Sequence, residues 1–273
     1  MKKTERIKLK RKPIYTVAYD CTDPLASVLI VHGLGEHIDR YERFARQMNE
    51  HRLNVYGFDN LGHGKSGGVR GYTSIEDTFQ IIDHMIKQIL ADTPNIPIAL
   101  FGHSLGGLIG LRYLQEYPSK FYCAAISAPA IILDEETEKR MEKNAGIAKL
   151  LPFVTLDNNI EHEDISRNQT EVAAYSKDKL VHPKVSLKLA LSIHKNVKIV
   201  NEKAVAIKTP LLLLKGMSDN VVPPDNIDDY FKRIGSEKKV ISKYPGAYHE
   251  TIYDPEHGEQ FRQDIIGWFR THL

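Results

Sequence analysis

The feature that most limits what this chain can fold into is a regular alternation of short aliphatic runs with longer segments of helical period. Ser27 to Val31 reads as a buried strand and is followed by an amphipathic helix from about Arg40 to His51. Leu53 to Phe58 is the next strand. Thr73 with Glu76 three residues later predicts a capping box. It opens a helix in which Ile75, Phe79, Ile82, Met85, Ile86 and Ile89 share one face. Pro97 to Phe101, a helix from Leu105 to about Gln115, and a strand from Phe121 to Ile126 continue the rhythm. It resumes late in the chain with Pro210 to Leu214, a helix around Asn226 to Ile234, a strand near Lys239 to Ser242 and a closing helix from about Glu259 to His272. Such alternation predicts an α/β fold: a mostly parallel central sheet flanked by helices on both faces. Segments 5–10 and 14–19 predict an antiparallel hairpin on its edge.

Residues 129–206 break the alternation and predict an inserted helical cap, leaving 1–128 and 207–273 as the core. Between 131 and 206 there are twelve acidic and twelve basic residues, so the cap offers no broad pull on anionic substrates. At 273 residues the chain can bury a core without disulfide or metal staples. Its apolar fraction of 42% excludes disorder, and no run approaches the roughly 20 apolar residues of a membrane-spanning helix. A net charge of +2 argues against nucleic acid as a partner. The one charge concentration is residues 1–12, where seven basic side chains face Glu5 alone. Ile7 and Leu9 alternate there with Lys8 and Lys10, which predicts an edge strand protected by lysine. No apolar stretch of a secretory signal follows it. Cys21 and Cys123 are the only cysteines and lack the spacing of a disulfide framework or zinc site, which points to the cytoplasm.

The chemistry-bearing motif is Gly102-His-Ser-Leu-Gly106. It directly follows the run Ile98–Phe101 and precedes a helix carrying Gly106, Gly107 and Gly110, which is the strand–turn–helix setting of a nucleophile elbow at Ser104. A serine hydroxyl is a poor nucleophile until a base takes its proton, and the base needs an orienting carboxylate. In this kind of sheet they follow in the order Ser, Asp or Glu, His. Asp219 sits just past the run Pro210–Leu214, and His249 lies in the loop after the last strand, thirty residues further on. Only His249, His257 and His272 follow Asp219, and the latter two fall near or within the closing helix. Asp254 is the competing carboxylate. Donors for an oxyanion are expected from the backbone N–H of Leu105, after the nucleophile, and of Leu34, in the loop His32-Gly-Leu-Gly35. His32 itself is expected to pack under that loop.

Two other motifs are decoys. Gly62-His-Gly-Lys-Ser-Gly67 fits G-x-G-x-x-G, and its Gly-Lys-Ser imitates the end of a phosphate loop. The full phosphate loop needs glycine where Asp59 stands, and the dinucleotide version needs a helix where Gly68, Val69, Arg70 and Gly71 follow. No metal-ligand cluster appears either.

The pieces His32-Gly-Leu-Gly-Glu-His37 with Arg40-Tyr41, Asp59-Asn-Leu-Gly-His-Gly-Lys-Ser66, Gly102-His-Ser-Leu-Gly-Gly107 and Gly246-Ala-Tyr-His249 resemble the monoacylglycerol lipase family of α/β-hydrolases. So does Ser166–Val172 leading to Tyr175 and Asp178, and the resemblance is collinear over most of residues 26–272. It implies an α/β-hydrolase fold, the triad Ser104, Asp219 and His249, and an oxyanion hole at Leu34 and Leu105. It also implies hydrolysis of a small lipid ester, a monoacylglycerol, to fatty acid and glycerol without a cofactor or metal. A polar headgroup pocket is implied at Glu36, Arg40, His103 and Tyr175. The chain departs from the family at Asp178-Lys179-Leu180, which lacks a proline that would stop a helix, and at Asn220, where a basic residue is frequent. Ile147, Leu150, Leu151, Phe153 and Val154 around Pro152 would line an acyl tunnel, sit transiently on a membrane surface or pack the cap onto the body. The same machinery would equally serve a lysophospholipase, a short-chain carboxylesterase or an acyltransferase, and the fold alone a non-catalytic receptor.

Overall fold

The structure, a computed structural model, describes residues 2–132, 139, 146, 148 and 150–273. At the amino end β1 (Lys2–Leu9) and β2 (Lys12–Tyr19) pair antiparallel. Their two-residue turn, Lys10 and Arg11, has φ of 48° and 64°, the positive values that match the twist of a tight hairpin. Then come β3 (Ala26–Val31), α1 (Glu42–Glu50), β4 (Leu53–Phe58), α2 (Ile75–Asp92), β5 (Ile98–His103), α3 (Leu105–Glu116) and β6 (Cys123–Ser127). The 129–206 segment carries β7 (Thr155–Asp157), α4 (Gln169–Lys177), β8 (Lys184–Ser186) and α5 (Leu187–Glu202). The chain closes with β9 (Leu211–Gly216), α6 (Asp225–Arg233), β10 (Lys239–Tyr244) and α7 (Gly258–His272).

Eight of these strands form one sheet in the order β1-β2-β4-β3-β5-β6-β9-β10. The pairings from β4 to β10 are all parallel, and β2 joins β4 antiparallel. Successive side chains of a strand point to opposite faces, so each central strand feeds two cores. Leu29 and Val31 of β3 pack with α2, α3 and α5 residues such as Ile82, Leu108 and Val197. Val28 and Ile30 pack on the other face with Phe44 and Met48 of α1 and Phe261, Ile265 and Phe269 of α7. Burial on both faces is why these strands read as unbroken aliphatic runs.

Ile7 and Leu9 lean on the core from β1, the sheet's edge, as their alternation implies. The basic residues around them are partly neutralised within the molecule: Lys2 pairs with Asp39 and Glu42, Lys3 with Asp20, Lys10 with Asp77. The capping box differs by one residue from the sequence expectation. Ser74 caps α2, its Oγ accepting the N–H of Asp77 at 3.2 Å. Glu76 instead reaches α5, accepting from Ser192 Oγ at 2.9 Å, so a tertiary contact takes the carboxylate that a local box would use.

The 129–206 segment contains a feature that a purely helical reading omits: β7 and β8 pair antiparallel as a short ribbon. Its α5 lies against α2 and α3, with Leu189, Val197 and Val200 in the main core. The helix α4 stops without the absent proline. Asp178 takes the chain out of helical geometry, its Oδ1 accepting the N–H of Leu180 at 2.8 Å while His37 Nε2 contacts Oδ2 at 2.8 Å. Among the described residues no helix is long and apolar enough to cross a membrane, and no group of metal-ligating side chains is gathered.

Candidate active site

Ser104 sits between β5 and α3 with φ 54° and ψ −117°, a backbone conformation unfavourable for any residue with a side chain. The strain is held by packing. A Cβ on Gly106 would collide with the carbonyl of Val31, and one on Gly107 would stand 3.0 Å from the Pro129 backbone. These glycines let α3 drop onto the strand ends, and hydrogen bonds clamp the turn: Ser104 N–H donates to Ser127 O at 2.9 Å, and Ala130 N–H to Ser104 O at 3.1 Å. Leu105 opens α3, so its N–H has no acceptor within the helix.

His249 and Asp219 meet although thirty residues separate them. His249 Nδ1–H donates to Asp219 Oδ2 at 2.7 Å, and Oδ1 accepts the N–H of Val221 and Val222, both at 2.8 Å. Both residues are buried. Burial disfavours the imidazolium, but the charge and hydrogen bond of Asp219 outweigh it and raise the His249 pKa above the ordinary value. The turn that carries Asp219 is pinned from below by Lys215 on β9. This fully buried lysine donates to Pro224 O at 2.7 Å and pairs with Asp228 on α6 at 2.9 Å. Asp254 is engaged elsewhere. It forms a fork with Arg167 at 2.9 and 2.7 Å, and its Oδ1 accepts the N–H groups of Glu256 and His257 just before α7.

The loop 32–36 passes directly over the serine: a Cβ on Gly33 would stand 3.2 Å from the Cβ of Ser104. His32 lies fully buried beneath it, its Nδ1 on Gly33 O at 2.7 Å and its Nε2 accepting from Asn60 N–H at 3.0 Å, as expected of a packing residue. Glu36 folds back so that Oε1 accepts Gly33 N–H at 2.6 Å and Tyr41 OH at 2.7 Å. Burial opposes its ionisation, yet Arg40 holds its pKa down at about 2. Arg40 joins Glu36 at 2.7 Å to Glu250 at 2.6 and 2.7 Å, with the Tyr175 ring 4.7 Å from the guanidinium carbon. The His103 ring lies against that of His249, tilted by 50° with centroids 4.8 Å apart, and burial depresses its pKa to about 4.

Two pockets meet at Ser104. One is a narrow recess of about 20 Å³ whose lining mixes Glu36, His103, Ser104, Tyr175, His249 and Glu250 with Gly33, Leu34, Ile160 and Ile165. The other, about 290 Å³, is mostly aliphatic: Leu34, Leu105, Ile132, Leu156, Ile160, Val185, Leu187, Ile193, Val221 and Val222 line it beside Ser104. The structure thus brings Ser104, His249, Leu34, Glu36, His103 and Tyr175 to one recess, and Leu105 with Leu34 to its apolar neighbour. Arg40 is the exception. It stands behind the wall, tied to both carboxylates, and lines an outer surface cleft instead. Glu250 and Lys215 were not singled out by sequence reasoning. Adjacency to His249 is a signal for the first, and a lone lysine ending an aliphatic strand is one for the second.

The glycine-rich decoy is a structural turn around a buried carboxylate. Asp59 accepts Ile38 N–H at 2.8 Å and Lys65 N–H at 2.6 Å, while Gly62 and Gly67 N–H donate to Gly67 O and Pro13 O. These donors are used internally rather than aimed at a phosphate. Beside it the rings of His32, His63 and His182 adjoin in a row, tilted to one another with centroids 5.5 and 4.8 Å apart.

Sheet order, elbow and the late acid–histidine pair define an α/β-hydrolase. The family described as serine aminopeptidase, S33, matches residues 22–256. A monoacylglycerol lipase of Mycolicibacterium smegmatis is 30% identical across 95% of this chain and 93% of its own. The human monoglyceride lipase is 32% identical across 83% of this chain and 76% of its own. The crystal structure of Paleococcus ferrophilus monoacylglycerol lipase superposes with a TM-score of 0.88 at 35% identity, over 95% of this chain and 99% of that one. The chain belongs to the monoacylglycerol lipase family of α/β-hydrolases.

Proposed function

We propose that this protein is a serine hydrolase that cleaves monoacylglycerols to fatty acid and glycerol. The observation that carries the reading is the position of Ser104 at the junction of a small recess edged by Glu36, His103 and Glu250 and a larger, mostly aliphatic pocket. A monoacylglycerol has that polarity on either side of its ester, and its acyl chain gains from leaving water. In the proposed mechanism His249, oriented by Asp219, takes the proton of Ser104 as Oγ attacks the carbonyl carbon. The N–H groups of Leu34 and Leu105 stabilise the tetrahedral oxyanion. The carbonyl-carbon to glycerol-oxygen bond breaks, and glycerol leaves with the proton from His249. Water, deprotonated by His249, then attacks the acyl-enzyme, and the carbon–Oγ bond breaks to release the fatty acid. The balance needs ester and water only.

Charge favours a neutral headgroup. The walls at that end hold two carboxylates, Glu36 and Glu250, with one guanidinium, Arg40, behind them, so a phosphate-bearing lysophospholipid meets surplus negative charge. We assign residues 129–206 as the cap over the site, since Tyr175, Ile160 and Leu156 line the two pockets. Leu150 is 80% exposed and Phe153 59%, and Leu151, Val154 and Leu156 are also exposed. They support transient contact with a lipid surface over the packing alternative; Ile147 lies outside the described residues. Cys21 and Cys123 are both free thiols, which suits a cytoplasmic setting.

Hydrolysis rates across monoacylglycerols, diacylglycerols, lysophospholipids and simple esters test the reading. Monoacylglycerols are expected to give the highest kcat/KM. Turnover of lysophospholipids with none of monoacylglycerols would refute it.

A further inference from the structure

Arg40 does not face the recess that a headgroup would enter. Its Nη1 donates to Glu36 Oε2 and to Glu250 Oε1, its Nη2 donates to Glu250 Oε2, and all three distances lie between 2.6 and 2.7 Å. Its side chain is 14% exposed, and those of Glu36 and Glu250 are 3% and 9% exposed. Each carboxylate belongs to a different loop of the reaction centre. Glu36 holds Gly33 N–H at 2.6 Å and so sets the loop from which the Leu34 N–H is presented. Glu250 is the residue after His249, and its own N–H donates to Ile165 O in the 129–206 segment at 2.8 Å.

We propose that Arg40 is a positioning residue: a buried ionic latch that joins the Glu36 loop to the Glu250 loop and so fixes oxyanion donors and general base relative to each other. The inference rests on the roles proposed above for Ser104, His249 and Leu34. Guanidinium suits this task because its planar fork fixes direction as well as charge, which an ammonium does not. Because Glu36 and Glu250 are 214 residues apart in the chain, no local hydrogen bond can substitute for the link.

The latch and a headgroup-binding arginine differ in what they do to two esters. One is a medium-chain monoacylglycerol; the other is p-nitrophenyl butyrate, whose leaving group has no glycerol hydroxyls. Glu250→Ala is the main variant, because it leaves Arg40 paired one-to-one with Glu36 and so strands no buried charge. It is expected to lower kcat about 10-fold on both esters with KM within about 3-fold, since small misplacements of reacting groups are costly. Glu250→Gln, which keeps an acceptor for one guanidinium N–H, should recover part of that loss. Arg40→Met should cost more, about 100-fold in kcat. Fluorophosphonate labelling and Tm are recorded for each variant to confirm a folded, reactive site. A rise in KM confined to the monoacylglycerol, with kcat retained, assigns the pair to substrate binding and overturns the latch. So does an unchanged kcat in Glu250→Ala. A wild-type protein that hydrolyses neither ester overturns the functional reading and the latch with it.

Discussion

The two ends of the site are built on different physics. At the polar end Glu36, Arg40, Tyr41, Glu250, His103 and Ser127 are fixed by hydrogen bonds with defined partners and directions. At the other end Ile132, Val185, Leu187, Ala190 and Ile193 offer area without direction. Directional contacts fail when one atom is displaced, and leaving a buried partner unsatisfied is costly. Aliphatic contacts degrade gradually and tolerate volume-conserving exchange. On the function proposed above, the difference would have the ester carbonyl located from the polar side and acyl length accommodated on the apolar side.

The sharpest way to break the comparison is at the junction. Ser104→Ala should lower ester hydrolysis by about 10⁶-fold and abolish fluorophosphonate labelling, with Tm changed little. Labelling at another serine in the wild type would sink the assignment. One step into the polar end, Asp219→Asn should cost about 10⁴-fold in kcat. It should also move the acid limb of the kcat/KM profile to lower pH, because the Asp219 charge is what raises the His249 pKa. A pH–rate series on both proteins reads this.

Acid should damage the buried polar groups before the aliphatic ones. Folded His103 and His182 titrate at about 4, both depressed chiefly by burial, whereas an unfolded imidazole titrates at 6.5. The unfolded chain therefore takes up the extra protons as pH falls from about 6.5 to 4, and stability drains over that window. His103 alone accounts for about 3 kcal/mol, readable as a falling urea midpoint. The smallest effect belongs to the aliphatic pocket. Ala190→Phe should reduce rates on long-chain monoacylglycerols about 10-fold and leave short-chain esters nearly unchanged; a uniform loss would show that this pocket does not hold the acyl chain.

What the sequence disclosed follows the same division. Strands buried on both faces announce themselves as aliphatic runs, and the elbow is a local motif with its own steric logic, so the sheet and Ser104 were legible. Asp219 and His249 were legible through chain order and strand endings, and the structure seats them in contact. The partners of Arg40 were not, because nothing in its neighbourhood specifies a carboxylate 210 positions away. Three-residue strands such as β7 and β8 are too short to show a period. The exposure of Leu150 and Phe153 depends on what covers them, and composition is silent on that.

The backbone of Ser104 has one last implication. A residue at φ 54° and ψ −117° is where a protein engineer seeking thermal robustness would look first, since glycine relieves such a conformation. Ser104→Gly would be expected to make the scaffold more durable while removing the oxygen proposed above as the nucleophile. Durability and turnover thus compete at a single position, and libraries ranked by melting temperature alone would drift toward inert protein.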